Sequence, residues 1–155
     1  MVKKKTCVFI SGKGSNLKNL ISQSRDNSFP IKISLVISNN RRADGINYAK
    51  KYKIPYRLIN TKIRNYELKI LENLKKHQIE FICLAGYMKI ISDNIVNKFQ
   101  KKIINIHPSL LPKFKGLNTF KRILDNKEKK TGCTVHYVNN KLDDGFIILK
   151  KKYFI

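Results

Sequence analysis

Asn105 and His107 are the residues whose types and spacing most directly suggest chemistry in this chain. They stand two positions apart in the stretch NIHPSLLP, directly after the apolar run Lys102-Ile103-Ile104. Side chains two residues apart on a strand project from the same face. An amide and an imidazole that project together can cap the end of a buried strand, or they can polarise a carbonyl and move a proton. The spacing alone leaves both interpretations open.

Asp143 favours the catalytic interpretation. It lies in the sequence Asp143-Asp144-Gly145, which is typical of a turn. A carboxylate beside an imidazole can hold the ring and favour its cationic form. The set of Asn, His and Asp contains no activated nucleophile, so it indicates proton transfer and carbonyl polarisation rather than covalent catalysis. The other histidines, His77 and His136, are expected to be structural.

A second candidate site is the segment GKGSN, residues 12–16, which joins an apolar run to a helical pattern. Free N–H groups at the start of a helix can bind a phosphate. The segment lacks the third glycine of GxGxxG and does not match the P-loop pattern GxxxxGK[ST]. It is therefore either a plain turn, with Ser15 or Asn16 capping the helix, or an anion site.

The elements that must position these residues alternate between strands and helices. The predicted strands cover residues 6–10, 31–37, 54–59, 81–85, 103–106, 133–138 and 146–155. The predicted helices are one that starts near residue 17 and four that cover residues 43–52, 66–77, 93–99 and 120–124. Units of roughly 25–30 residues are typical of parallel βαβ connections. We predict one α/β domain over residues 1–155, with a Rossmann-like doubly wound, mostly parallel sheet flanked by helices on both faces. Ligands bind beyond the carboxyl ends of such strands, so both candidate sites would line one cleft.

The net charge of +23 raises the question of a nucleic-acid partner. Lysine is scattered from end to end, however, alongside many isoleucines and asparagines, and these three residues have AT-rich codons. No RNA-binding aromatic motif or zinc-finger spacing accompanies the charge. We attribute the charge to a biased genome and expect no nucleic-acid partner, although it should attract anionic substrates.

Cysteine use and apolar runs bear on the location of the protein. Cys7, Cys83 and Cys133 are an odd number of isolated cysteines in apolar stretches, as expected of reduced thiols in a cytoplasmic protein. No cysteine, histidine or aspartate cluster has metal-ligand spacing, so no metal is expected. No apolar run approaches the roughly 20 residues that span a bilayer, and the start of the chain is too short for a signal peptide, so no membrane partner is expected.

Four stretches together carry a resemblance to a known family. They are ISGKGSNL (10–17), LAGYMKII (84–91), INIHPSLLPKFKG (104–116) and TGCTVHYVNNKLDDG (131–145). Their content, order and spacing resemble the phosphoribosylglycinamide formyltransferases of purine biosynthesis, over essentially the whole chain. NIHPSLLP marks the wider formyltransferase superfamily, whereas GSNL and TGCTVH point to this branch.

The resemblance implies a direct formyl transfer. The amine of 5-phosphoribosylglycinamide would attack the formyl carbon of the co-substrate 10-formyltetrahydrofolate. Asn105 would bind the formyl oxygen as it becomes an oxyanion. His107, as an imidazolium, would stabilise that charge and protonate the departing folate nitrogen, while Asp143 would favour the cation. The match of LDDG to the family's L-D-x-G selects Asp143 rather than Asp144.

The resemblance also implies binding residues for both substrates. Gly14, Ser15 and Asn16 would hold the ribonucleotide phosphate. The folate would contact Asn105 and Asp143, and in addition Arg64, Met88, Lys89, Ile90, Ile91, Asn139, Asn140, Lys141 and Leu142.

The end of the chain is where the sequence departs from that family. Family members generally continue for several tens of residues past the last strand, so we expect a single formyltransferase domain that lacks the usual C-terminal extension. A relative that binds folate or a polyanion without turnover is one alternative, and a different folate-dependent formyltransferase is another. The protein is expected to be a monomer, or a homodimer formed through an exposed apolar face.

Overall fold

A computed structural model describes residues 2–155. Within that range the chain forms seven strands and five helices, and none of these helices is long and apolar enough to cross a membrane. The chain divides into two compact units, of which the first ends at Lys89 and the second is Ile90–Ile155.

The first unit is built from parallel strands with a helix after each of the first three. Its elements are β1 (Lys4–Ile10), α1 (Ser15–Ser24), β2 (Ile31–Ser38), α2 (Gly45–Lys51), β3 (Tyr56–Leu58), α3 (Tyr66–Lys76) and β4 (Phe81–Leu84). The strands lie in the order β3-β2-β1-β4 and pair in parallel. Residues 7–10 of β1 are fully buried, because a central parallel strand is covered on both faces. This is why β1 reads as a continuous apolar run rather than an alternating one.

The second unit is built around antiparallel pairing. Its elements are α4 (Asp93–Lys98), β5 (Ile103–His107), α5 (Thr119–Asp125), β6 (Lys130–Tyr137) and β7 (Ile147–Phe154). β6 pairs antiparallel with both β5 and β7. The register of the β5–β6 pair places Asn105 opposite His136 and His107 opposite Thr134. Cross-strand partners lie about 4.5–5.5 Å apart at their Cβ atoms, so this register decides which side chains meet.

The strand boundaries differ from those predicted by up to three residues, and β3 and β6 show the physical reasons. β3 is shorter than residues 54–59, because Pro55 has no N–H and contributes only its carbonyl, which accepts from the Val36 N–H at 2.9 Å. β6 begins at Lys130 rather than Cys133. The extra residues are polar and carry no apolar signal, but they pair with β7, where Lys130 lies opposite Phe154.

Candidate active site

The second unit brings the three predicted catalytic residues together. Asn105 and His107 project from β5, and Asp143 lies in the β6–β7 loop, residues 138–146. The Nδ1 atom of His107 lies 3.3 Å from Oδ2 of Asp143, and Nδ2 of Asn105 lies 3.4 Å from Oδ1 of the same carboxylate. The side chains of His107 and Asp143 are 6% and 8% exposed, so water screens this contact little.

The β6–β7 loop holds Asp143 in place by a close backbone approach. A Cβ on Gly145 would lie 1.7 Å from the carbonyl oxygen of Tyr137, so only glycine fits there. The Tyr137 N–H donates to the Phe146 carbonyl at 2.9 Å, which closes the loop against the end of β6. Asp143 itself has φ of 47°, a left-handed conformation that aspartate tolerates better than most residues.

Both ring nitrogens of His107 face hydrogen-bond acceptors. Nε2 lies 2.8 Å from the Phe114 carbonyl oxygen, and Nδ1 faces the Asp143 carboxylate. Neither a carbonyl nor a carboxylate can donate, so each contact is satisfied only if its nitrogen carries a hydrogen. The arrangement therefore matches the doubly protonated imidazolium, which is the form that can stabilise an oxyanion and release a proton.

Asp143 is the counter-charge of this imidazolium. Burial of Asp143 disfavours its charged carboxylate, but the Gly116 N–H, which donates to Oδ2 at 2.8 Å, and the neighbouring His107 ring favour the charged form. The pKa of the Asp143 carboxyl consequently lies below its ordinary value. An ionised carboxylate at this position favours the cationic form of His107.

Asp144 occupies a different environment from its neighbour in sequence. It forms an ion pair with Lys115, and this hydrogen bond and charge lower the pKa of the Asp144 carboxyl. Its side chain is 43% exposed. The structure thus brings Asp143, the aspartate selected by the family register, and not Asp144, to His107.

His136 was expected to be structural, yet it lies against the same cluster. Its ring is 2% exposed, and its Nε2 lies 3.2 Å from Nδ2 of Asn105 and 3.6 Å from Oδ1 of Asp143. The signal that could have identified it is the antiparallel register, which makes Asn105 and His136 direct partners. His77 lies at the end of α3, in the first unit, and its structural role stays a prediction.

The GKGSN loop leads into α1 in the first unit. Gly14 is the N-cap with φ of 74°, and no side chain caps the helix, so the capping role considered for Ser15 or Asn16 is not observed. A Cβ on Gly14 would lie 2.4 Å from Cα of Gly45, which explains the glycine. Ser15 and Asn16 are exposed, and the first turn contains no acidic residue. These features suit an anion, because the first-turn N–H groups of a helix lack intrahelical partners.

Ser11 ties this loop to the end of β4, a role that sequence reasoning missed. Its Oγ donates to Oδ1 of Asn39 at 2.6 Å and accepts from the N–H of Met88 at 2.8 Å. Its own N–H donates to the Gly86 carbonyl at 3.1 Å. The carboxyl ends of β1, β2 and β4 are therefore joined by one side chain, and the GKGSN loop lies beside the segment that carries Met88.

The remaining predicted folate-binding residues occupy several segments. In the first unit, Arg64 is exposed between β3 and α3, and Met88 and Lys89 are exposed after β4. In the second unit Ile90 is 70% exposed and Ile91 only 7%. Residues 139–142, which directly precede Asp143 in the β6–β7 loop, are all exposed.

Comparisons with known proteins identify the relatives of this chain. Residues 4–155 match the Formyl transferase family. The phosphoribosylglycinamide formyltransferase of Haemophilus influenzae is 42% identical over 153 residues, which are 96% of this chain and 72% of that protein. The trifunctional purine biosynthetic proteins adenosine-3 of Drosophila pseudoobscura pseudoobscura and Bos taurus are 44% and 43% identical. Of these two much longer relatives, the chain spans 11% and 15% of the length.

Solved structures agree with the sequence comparison. The crystal structure of phosphoribosylglycinamide formyltransferase from Bacillus halodurans matches 98% of this chain with a TM-score of 0.94 and 33% identity, and the match covers 80% of that protein chain. The enzyme of the same name from Anaplasma phagocytophilum matches 99% of this chain with a TM-score of 0.93 and 40% identity, covering 73% of its own chain. These matches confirm the predicted Rossmann-like α/β fold and the family resemblance.

Proposed function

Because the chain belongs to the formyl transferase family, we propose that it transfers the formyl group of 10-formyltetrahydrofolate to the amine of 5-phosphoribosylglycinamide in purine biosynthesis. The observation that carries this proposal is the buried contact between His107 and Asp143, with the Asn105 amide beside it. It supplies a cationic proton donor and a hydrogen-bond donor in one place, as formyl transfer without a covalent enzyme intermediate requires.

The reaction forms one C–N bond and breaks another. The substrate amine attacks the formyl carbon, and the formyl oxygen becomes an oxyanion that accepts hydrogen bonds from the Asn105 amide and from His107. The bond from the formyl carbon to the folate nitrogen then breaks as His107 gives that nitrogen a proton. The proton lost by the attacking amine restores the imidazolium, so that the enzyme returns to its starting state.

The hydrogen bond between His107 Nε2 and the Phe114 carbonyl must break before this proton transfer can occur. In the structure the Phe114 carbonyl accepts the hydrogen bond from Nε2. Asp143 occupies Nδ1, so Nε2 is the nitrogen that remains for the substrate. The folate nitrogen or the oxyanion therefore has to replace the Phe114 carbonyl as acceptor. Phe114 has φ of 58°, which is unfavourable for a bulky residue, so the displaced backbone can relax when it moves.

The two substrates are assigned to the segments that the family pattern selects. The GKGSN loop supplies Gly14, Ser15 and Asn16 for the ribonucleotide phosphate, and the uncapped start of α1 supports this role. The folate is assigned to Asn105 and Asp143 together with Arg64, residues 88–91 and residues 139–142. Arg64, residues 88–90 and residues 139–142 are exposed, which suits ligand contact, whereas Ile91 is buried. The free cysteines Cys7, Cys83 and Cys133 are in keeping with the cytoplasmic location that we propose.

Product analysis tests the proposed reaction. The protein is incubated with 10-formyltetrahydrofolate and, separately, with 5-phosphoribosylglycinamide, an amino sugar nucleotide or methionyl-tRNA as acceptor. We expect a formylated product, detected by its mass, only with 5-phosphoribosylglycinamide. Formylation of another acceptor would assign the chain to a different folate-dependent formyltransferase. Folate binding without any formylated product would favour a relative that binds without turnover.

A further inference from the structure

Asn105 carries the amide that the proposed reaction needs, but an amide works as a donor only if its N–H groups, rather than its oxygen, face the substrate. Both acceptors found beside Asn105, His136 Nε2 at 3.2 Å and Asp143 Oδ1 at 3.4 Å, lie against its Nδ2 atom. The reverse orientation would place the amide oxygen against a carboxylate, where two acceptors repel each other. The surroundings of Asn105 therefore select one orientation of its side chain.

The tautomer of His136 determines whether that ring can take part in this selection. Its Nδ1 lies 2.9 Å from the Tyr137 carbonyl oxygen, which accepts only, so Nδ1 carries a hydrogen. In the neutral ring Nε2 is then a bare acceptor, matched to the Asn105 N–H. The distance of 3.6 Å from Nε2 to Asp143 is too long for a hydrogen bond. If His136 were an imidazolium as well, it would place a second buried positive charge beside His107, which already has the Asp143 carboxylate as its partner. This disfavours the cationic form of His136.

We infer that His136 is a positioning residue, which accepts a hydrogen bond from Asn105 and thereby fixes the Asn105 amide with an N–H group directed at the reacting formyl oxygen. His136 Nε2 and Asp143 Oδ1 are 3.6 Å apart and lie on the same side of the amide nitrogen. One N–H of Asn105 can be shared between them, and the second N–H remains for the substrate. The kinetic part of this inference rests on the proposed function, whereas its structural part does not.

The strand pairing makes this arrangement rigid. Asn105 and His136 are direct partners in the β5–β6 register, so neither can shift without breaking the ladder. His136 is 2% exposed, and water does not compete for its acceptor nitrogen. Truncating His136 would leave the amide to turn about its terminal torsion, which is soft for asparagine. Loss of orientation rather than loss of the donor itself is therefore the expected defect.

The first experiment measures the His136 tautomer directly, without any substrate. The protein is labelled with ¹⁵N at its histidines, of which there are three. The signals lost in His77→Ala and in His107→Ala assign those two residues, so that the third signal belongs to His136. We expect a protonated Nδ1 and an unprotonated Nε2 at neutral pH, and we expect the Nε2 resonance to shift in an Asn105→Ala variant. A protonated Nε2 in the wild-type protein would overturn the inference, whatever the activity of the chain.

The second experiment separates positioning from a merely structural role. His136→Gln retains an oxygen that can accept from Asn105, whereas His136→Phe fills the space without an acceptor. We expect His136→Phe to lower kcat by about 10- to 100-fold, which does not exceed the usual effect of removing an oxyanion-hole donor. The KM for each substrate should stay within about 3-fold of the wild-type value. The loss in log kcat of His136→Gln should be at most about half of the loss that His136→Phe shows.

Equal defects in the two folded variants, or an unchanged kcat in His136→Phe, would contradict the inference. Unfolding of either variant leaves the tautomer measurement to decide it. Absence of turnover in the wild-type chain would count against the proposed function, while the tautomer would still report on the contact between His136 and Asn105.

Discussion

Gly145 approaches Tyr137 so closely that a Cβ on Gly145 would lie 1.7 Å from the Tyr137 carbonyl oxygen. This contact holds the β6–β7 loop against β6 and so places Asp143, two residues before Gly145, beside His107. We predict that Gly145→Ala lowers the free energy of unfolding by at least about 2 kcal/mol, because the backbone must shift to admit the methyl group. Chemical denaturation measures this loss.

Gly12→Ala is the matched control for that substitution. A Cβ on Gly12 would meet no atom within 4 Å. Its effect on the free energy of unfolding should stay below about 1 kcal/mol. Equal losses in the two variants would show that the close contact with Tyr137 does not govern stability.

Asp143 and Asp144 are adjacent in sequence but occupy different environments, which makes them a sharp pair for mutagenesis. Asp143→Asn should lower kcat/KM by about 100-fold or more, because the His107 imidazolium loses its counter-charge. Asp144→Asn should stay within about 3-fold, because its ion pair with Lys115 is exposed to solvent and screened by it. Steady-state kinetics of both variants measure these effects. A larger defect in Asp144→Asn than in Asp143→Asn would contradict the assignment of Asp143 as the catalytic aspartate.

The lowered pKa of Asp143 predicts how stability depends on pH. The folded protein keeps this carboxylate ionised at pH values where the unfolded chain, with an ordinary pKa of about 3.9, takes up a proton. Folding is therefore stabilised above that pH, and the stabilisation is lost as the pH falls through the folded pKa. The difference in unfolding free energy between wild type and Asp143→Asn should shrink as the pH is lowered from about 5.5 towards 3. A difference that grows in acid would contradict the pKa direction.

Asn16 tests the assignment of the ribonucleotide phosphate to the GKGSN loop. Asn16→Ala should raise KM for 5-phosphoribosylglycinamide by roughly 10-fold, as expected for a lost hydrogen bond to a charged group, and leave KM for the folate nearly unchanged. Asn19→Ala, an exposed substitution one turn further along α1, is the control and should leave both constants unchanged. Equal effects of the two variants would argue against the phosphate assignment.

Local patterns were sufficient for the fold and for part of the cluster. The buried run of β1 and the two-residue spacing of Asn105 and His107 are properties of single strands, and both are visible in the sequence. Asp143 was selected by family register, since nothing local distinguishes it from Asp144. Its position depends on the close approach of Gly145 to Tyr137.

His136 and Ser11 show what the sequence did not reveal. A histidine on the buried face of an alternating strand looks the same whether it packs in a core or faces a partner on the next strand. Only the β5–β6 register, a long-range choice, pairs His136 with Asn105. Ser11 connects Asn39 and Met88 because the carboxyl ends of three parallel strands meet. A serine after a strand carries no local sign of this role.

Turnover by the wild-type chain and by His107→Ala tests the account most directly. The protein is mixed with 5-phosphoribosylglycinamide and 10-formyltetrahydrofolate, and the absorbance change on deformylation is followed. His77→Ala, a substitution of the same type at the end of α3, serves as the control. We predict turnover by the wild-type and His77→Ala proteins and a loss of at least about 100-fold in His107→Ala. Full activity in a folded His107→Ala variant, or no turnover by a folded wild-type chain that binds folate, would contradict the account.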